Sequence, residues 1–334
     1  MRYGWLQASF IPPGPQRDWR DLTRSRMKLG QERTREVNRV PGVLERANIN
    51  LAAVASEIMG VSGRAILAAL VEGRADPGTL AELAKGHLRR QIPVLTQALT
   101  GVMRDHHRWV LAIQLAPIDF LDEQIEALST AITRSLTALA PEEPPAETAE
   151  RADEAGRVLE PDPPTSPRPF AQAVTVLDTV AGVDQRGAER LVAEWGVDMA
   201  RFGTAARLAA WTGVAPGHDE NAGKPRSGKT RKGNRVLRTG LTQMAHAAAR
   251  TKGTSLSALD QRLAARRGKK RAIMAVAHSI VVSAFHRLSR HEPYRDLGAN
   301  YVDERRHHHL VDQLTRRLQR LGYRVSLEVV PAPT

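Results

Sequence analysis

The chain has 334 residues, with 49 Lys and Arg against 36 Asp and Glu, which gives a formal net charge of +13. This length allows two or three domains that each bury a core, and the charge favours a polyanionic partner. The absence of cysteine from the sequence excludes disulfides, thiolate zinc sites and cysteine nucleophiles, and it favours a cytoplasmic location. No membrane span is predicted, because the longest apolar stretch, 272–285, is interrupted by polar residues and is shorter than the ~20 residues that a span needs.

Residues 1–140 are predicted to form a helical, coiled-coil dimerisation region. The lead-in through Pro15 is rich in proline and is expected to be extended. From 17 to 60, apolar residues recur at spacings of three, four and seven, which is typical of an amphipathic helix. Pro41 and Gly42 interrupt this pattern, so we expect a kink or break there.

Two further helical zones follow in the same region. Residues 63–99 contain an internal turn at 76–78, where Pro77 suits the first position of a helix. Residues 104–139 carry an apolar stripe at nearly heptad spacing. The first and third zones are therefore expected to pair, either as an antiparallel coiled coil or as two helices of an ordinary bundle.

Residues 141–170 are predicted to be a flexible, acidic, Pro-rich linker, because they hold too little apolar surface to offset the cost of ordering them. Residues 171–334 are then the C-terminal domain. The predicted fold class is mainly α, with a helical coiled-coil half, the linker, and a compact helical C-terminal domain.

The C-terminal domain begins with a segment, 174–196, that resembles a helix-hairpin-helix element. The turn of such an element offers backbone N–H groups to a phosphate. Asp184 occupies the place of the usual second glycine and puts an acid where a phosphate would approach. A hairpin that only packs against the domain is the alternative.

The sharpest local feature is a Gly- and Lys-rich loop at 221–238, which carries seven basic residues and no acidic one. Guanidinium and ammonium groups at this density suit a sugar-phosphate backbone. A solvated basic loop without a function is the alternative. The residues predicted to contact nucleic acid are Lys224, Arg226, Lys229, Arg231, Lys232, Gly233, Asn234, Arg235 and Arg238. A second basic run, 266–271, is predicted to extend this surface.

Three other patterns are weaker. Residues 223–230 match the phosphate-loop signature, but they lack the apolar strand before it and the helix after it. The adjacent histidines 307–309 cannot all face one metal ion on a regular helix and are expected to form a solvated face. Asp119, Asp122 and Glu123 are expected to flank a helical seam rather than to be catalytic, so no metal ligand is predicted in this chain.

Several segments in order resemble the transposases of the insertion-sequence 110/116/902 family. They are 9–13, 20–24 and 31–39 near the start, the region from Leu177 through Trp211, the loop 221–238, and 294–299. The resemblance covers nearly the whole chain apart from the linker.

This resemblance implies an RNA-guided DNA recombinase with an N-terminal RNase H-like domain whose four acidic residues bind a divalent metal. It further implies a coiled-coil dimerisation arm and a C-terminal domain with a nucleophilic serine. The chain is expected to start after the RNase H-like domain, so no metal cofactor is expected in it. The implied partners are DNA, a guide RNA, and further copies of this chain or full-length relatives, in a nucleoid-associated setting.

The loop departs from the family at its nucleophile. Where relatives carry serine before Ala-Gly-Lys or Gly-Gly-Lys, this chain has Asn221. A carboxamide has no hydroxyl to attack phosphorus, and Ser227 is displaced by several residues. We therefore expect a degenerate transposase that lacks strand-transfer activity. The alternatives are a non-catalytic nucleic-acid-binding protein or dominant-negative regulator of full-length relatives, and a stand-alone binder of DNA junctions.

Overall fold

The structure, a computed structural model, describes residues 11–74, 76–138, 170–217, 219–221, 224–227, 230, 232–301 and 307–327. Of residues 137–138, 219–227, 307–310 and 313 it describes at most the backbone. Two compact units divide the chain, one spanning 18–135 and the other containing the residues before 18 and after 135. The predicted linker lies outside the described residues, except that Phe170 already begins a helix.

The described residues are mainly helical, as predicted. The helices of the first half are α1 (Gly14–Val37), α2 (Val40–Arg46), α3 (Leu51–Val54), α4 (Val61–Val71), α5 (Pro77–Glu82), α6 (Ile92–Ala98) and α7 (Asp105–Ala138). The elements of the second half are α8 (Phe170–Asp178), α9 (Gln185–Trp195), α10 (Ala205–Thr212), β1 (Asp219–Asn221), β2 (Lys224–Ser227), α11 (Arg235–Arg250), α12 (Ser255–Arg267), α13 (Lys269–Arg290) and α14 (His307–Arg320).

Prolines set several helix starts in the first half. Pro77 lies in the first turn of α5 and Asp76 caps that helix by accepting a hydrogen bond from the Thr79 amide, as the 76–78 turn predicts. Two expectations need correction. Pro15 lies in the first turn of α1, so the extended lead-in ends earlier than predicted. The break falls at 38–39 rather than at 41–42, because Pro41 is accommodated in the first turn of α2.

The first and third helical zones run antiparallel within one chain. Arg33 makes a two-pronged ion pair with Asp122, in which Nη2 lies 3.0 Å from Oδ2, and Arg26 Nη1 donates to Ser129 Oγ at 3.5 Å. A step of seven residues back along α1 thus matches a step of seven forward along α7. The hydrogen bond to Asp122 raises the pKa of Arg33.

The apolar stripe of α7 is buried, as its spacing predicts. Leu111, Leu115 and Ile118 belong to one core with residues of α2 to α6. Leu121, Ile125, Ile132 and Leu136 continue the buried face. Asp119 pairs with Arg64 of α4 and Asp122 with Arg33, so these carboxylates flank the seam as expected.

The predicted loop in the C-terminal half contains a short antiparallel hairpin, which is a correction to the sequence analysis. Asp219 pairs with Ser227, Glu220 with Pro225 and Asn221 with Lys224, with an irregularity after Asp219. These strands are polar and contain a proline, so they lack the alternating apolar residues that predict a strand.

Helix α13 is the central apolar element of the C-terminal unit. It packs against α8, α10, α11 and α12, and its buried residues include Ile273, Val276, Ile280, Val281 and Phe285. By length and composition alone this helix is long and apolar enough to cross a membrane. Half of its apolar window is buried within the protein, as in the core helix of a globular unit.

Candidate nucleic-acid interface

The segment resembling a helix-hairpin-helix folds as α8, a turn and α9. Asp184, read from the sequence as an obstacle to phosphate, caps α9 by accepting a hydrogen bond from the Gly187 amide at 2.9 Å. Gly182 has a φ of +83°, and a β-carbon there would lie 2.4 Å from the Ala248 nitrogen of α11. The turn thus contacts α11 closely, which favours the packing alternative for Gly182.

A groove of about 480 Å³ lies beside this turn, between α9 and α11. Its lining includes Arg186 and Arg190 of α9 and Gln243 of α11. The Arg190 side chain crosses Gly240, where a β-carbon would lie 2.6 Å from Nη1. Neither arginine was predicted from the sequence as a contact residue, although their spacing of four residues places both on one helix face.

Two glycines hold the ends of the hairpin segment together. Gly213 ends α10 in the left-handed conformation, with a φ of +85°. A β-carbon on Gly233 would lie 2.5 Å from the Gly213 Cα and 2.8 Å from the Thr212 carbonyl carbon. Gly233, predicted to contact nucleic acid, is exposed but has this packing role as well. The chain therefore leaves and re-enters the helical unit at one point, which we call the hairpin root.

Asn234 has two structural roles that the sequence analysis did not predict. Its Oδ1 accepts hydrogen bonds from the Val236 and Leu237 amides at 3.0 and 3.3 Å and so caps α11. Its Nδ2 donates to Glu194 Oε2 at 2.8 Å. Since Glu194 is 1% exposed, this bond joins α9 to the start of α11 and offsets part of the cost of a buried carboxylate.

The remaining predicted contact residues fall into three groups. Lys232 and Arg235 are exposed and Arg238 is half-buried, all within one or two helical turns of the hairpin root. Lys224 and Arg226 lie on β2, and Lys229 and Arg231 lie outside the described residues. Among the ion pairs that join described residues, none involves Lys232, Arg235 or Arg238. The two exposed cations, Lys232 and Arg235, and the half-buried Arg238 thus have no counter-ion among the described residues.

Asn221 ends β1, next to the two residues that connect the strands. Ser227 pairs with Asp219, two residues away along β1. At a strand rise of roughly 3.3 Å per residue, this places Ser227 about 7 Å along the strand from the level of Asn221. The backbone thus separates the two positions by several times the ~1 Å that already impairs a nucleophile.

The second basic run, 266–271, is exposed at the junction of α12 and α13. Lys269 Nζ lies 2.5 Å from the buried carboxylate of Asp260, so one of its charges has a protein partner. Histidines 307–309 begin α14, and their side chains lie outside the described residues. Within the described residues, no group of three His, Asp or Glu could hold a metal ion.

The segment 294–299 is fastened to the start of α12. Asp296 accepts hydrogen bonds from the Ser255 and Gly298 amides at 2.9 and 2.7 Å, and its Oδ2 lies 3.1 Å from both the Ser255 and Tyr294 hydroxyls. Desolvation opposes ionisation of Asp296, but these hydrogen bonds outweigh it and lower its pKa. The pKa of the Tyr294 hydroxyl is raised, and burial is the main cause.

Exposed lysine and arginine clustered on one part of a surface are the electrostatic signature of nucleic-acid binding. Residues 174–261, from α8 into α12, match the model of the Transposase IS116/IS110/IS902 family. The resemblance stated from the sequence is thus confirmed for the segment that contains the hairpin and its root. No curated protein matches the chain.

Proposed function

We propose that this chain is a DNA-binding insertion-sequence transposase that is inactive in strand transfer. The family match over 174–261 supports a DNA-directed role. The observation that carries the proposal is the set of three cations at the hairpin root, Lys232, Arg235 and Arg238, none of which pairs with a carboxylate among the described residues. Each can neutralise a backbone phosphate, and contacts of this kind supply most sequence-independent affinity for DNA.

The test is a binding titration of purified protein with labelled duplex DNA over a range of salt concentrations. Log affinity is expected to fall linearly with log salt, and Arg235→Ala is expected to reduce the slope by roughly 0.9, the value for one phosphate on B-DNA. Lys252→Ala is the matched control. Lys252 is exposed beyond the opposite end of the 16-residue α11, roughly 25 Å from Arg235.

Equal slopes for the wild type, Arg235→Ala and Lys252→Ala would contradict the proposed surface. Absence of binding to both DNA and RNA at low salt would contradict the function itself.

The inactivity of this copy rests on position 221. In family members this position carries the nucleophilic serine, whereas the Asn221 amide cannot form a phosphodiester with DNA. Incubation with DNA followed by a denaturing gel is expected to show no covalent adduct. An adduct that persists in Asn221→Ala would show that another residue attacks phosphorus and would overturn this part of the proposal.

The second reading is a non-catalytic regulator that associates with full-length relatives. One observation favours it. Helix α7 exposes Trp109, Ile113 and Phe120, a stripe of large apolar side chains at helical spacing. Co-purification with an active relative, lost when this stripe is made charged, would support regulation over a role limited to DNA binding.

A further inference from the structure

We propose that Trp211 is a stacking platform for an unpaired nucleobase of the bound strand. The inference rests on the nucleic-acid-binding function proposed above and adds the form of nucleic acid that the hairpin root selects. It depends on three features of Trp211: its exposure, its aromatic and cationic neighbours, and its closeness along the chain to the hairpin root.

Trp211 is an exposed aromatic residue. It is 43% exposed, between the fully buried Trp19 and Trp195 and the 68% exposed Trp109. It lies in the last turn of α10, and Arg207 is exposed one turn earlier, at the spacing that places two residues on the same helix face. The face therefore combines an indole with a guanidinium.

The indole has support on one side. The Phe202 ring lies 5.8 Å from the Trp211 ring, centroid to centroid, at 59°. The Arg201 guanidinium lies over the Phe202 ring, 4.5 Å from its centroid. This packing restricts the rotamers of the indole, so a planar ligand would find the exposed surface already positioned.

Trp211 is also next to the basic surface. It precedes Thr212, whose carbonyl carbon lies against Gly233 at the hairpin root. A strand whose phosphates contact Lys232 and Arg235 would therefore pass within reach of the indole. Aromatic rings set in a basic surface bind single strands by stacking on bases, at ~1–3 kcal/mol per base. A paired base inside a duplex keeps its faces covered by its neighbours and cannot make this contact.

The experiment measures the affinity of the full chain for a labelled oligo(dT) strand and for a labelled duplex. We expect Trp211→Leu to bind oligo(dT) about tenfold more weakly, which corresponds to ~1.4 kcal/mol, and to bind duplex with less than about a twofold change. Trp211→Phe keeps a ring and is expected to retain most of the affinity. The salt slope should be unchanged in both variants, because no charge is removed.

A crosslinking arm tests the contact in the unaltered protein and so remains informative if Trp211→Leu misfolds. An oligonucleotide that carries 5-iodouracil is irradiated in the complex, and the adduct is mapped by mass spectrometry. The expected adduct is on Trp211. Adducts confined to other residues, unchanged oligo(dT) affinity in Trp211→Leu, or equal losses for strand and duplex would each overturn the inference. If the wild type binds neither nucleic acid, the proposed function fails instead.

Discussion

Asn234 lies within the basic segment 221–238, and for that reason it was predicted to contact nucleic acid. Its contacts are internal: it caps α11 and donates to the buried Glu194. Short polar residues serve both as caps and as phosphate ligands, so composition alone cannot separate the two roles. The helix start at Arg235 was the missing information.

We expect Asn234→Ala to lower the free energy of unfolding by about 2 kcal/mol. Loss of the helix cap contributes about 1 kcal/mol, and loss of the hydrogen bond to the buried Glu194 carboxylate contributes about the same. The free energy of unfolding is measured by urea denaturation monitored by circular dichroism. Thr204→Ala is the control, since the Thr204 hydroxyl caps α10 by accepting a hydrogen bond from the Arg207 amide at 3.3 Å. It is expected to cost about 1 kcal/mol. Equal losses in the two variants would show that the Glu194 bond contributes nothing.

Asp296 is expected to make the stability of the fold depend on pH. Its pKa is lowered in the folded protein, so the unfolded chain takes up the proton more readily. Its contribution to stability is therefore present above its ordinary pKa of 3.8 and is lost as pH falls through and below that value. Stability of the wild type should exceed that of Asp296→Asn at neutral pH, and the gap should shrink on acidification. A gap that is constant from neutral pH to pH ~3 would contradict this assignment.

At the scale of elements, the contact between the α8–α9 turn and α11 depends on one glycine. Gly182→Ala adds a β-carbon against the Ala248 backbone at a positive φ, so we expect a loss of about 3 kcal/mol or more. Gly253→Ala is matched in backbone conformation, with a φ of +77°, but has open space around it. It should cost only about 1 kcal/mol. Similar melting temperatures for both variants would argue against a close contact at the turn.

The same scale shows what sequence patterns can and cannot predict. Apolar spacing predicts α7 well, because that helix buries one continuous face. Pro77 predicts where α5 begins, whereas Pro41 was expected to mark a break and lies in the first turn of α2 instead. The hairpin was missed because Pro225 and the charged residues around it carry no strand pattern. The hairpin root was missed because the Gly213 to Gly233 contact joins residues that are distant in sequence.

At the scale of the whole molecule, pairing of α1 with α7 inside one chain changes how oligomerisation should be tested. Leu121 is 8% exposed, whereas its neighbour Phe120 is 59% exposed. If the chain self-associates through α7, the contact surface is thus the exposed stripe defined by Trp109, Ile113 and Phe120. The buried seam is already occupied within the chain.

We expect Phe120→Lys to convert an oligomer to a monomer in light scattering coupled to size-exclusion chromatography, with unchanged helicity. Leu121→Lys should instead reduce helicity, because it places a charge in a buried position. A Phe120→Lys variant that keeps the wild-type mass would exclude the stripe as the interface, and a monomeric wild type would exclude the predicted oligomer.

The place of residue 221 in the hairpin affects which substitutions the fold can tolerate. Because Gly213 and Gly233 join the two ends of the hairpin through their backbones, we expect the fold of the helices to tolerate a change of side chain at position 221. Under the proposed function, substitution at this position would remove strand transfer and leave a folded chain that still occupies DNA.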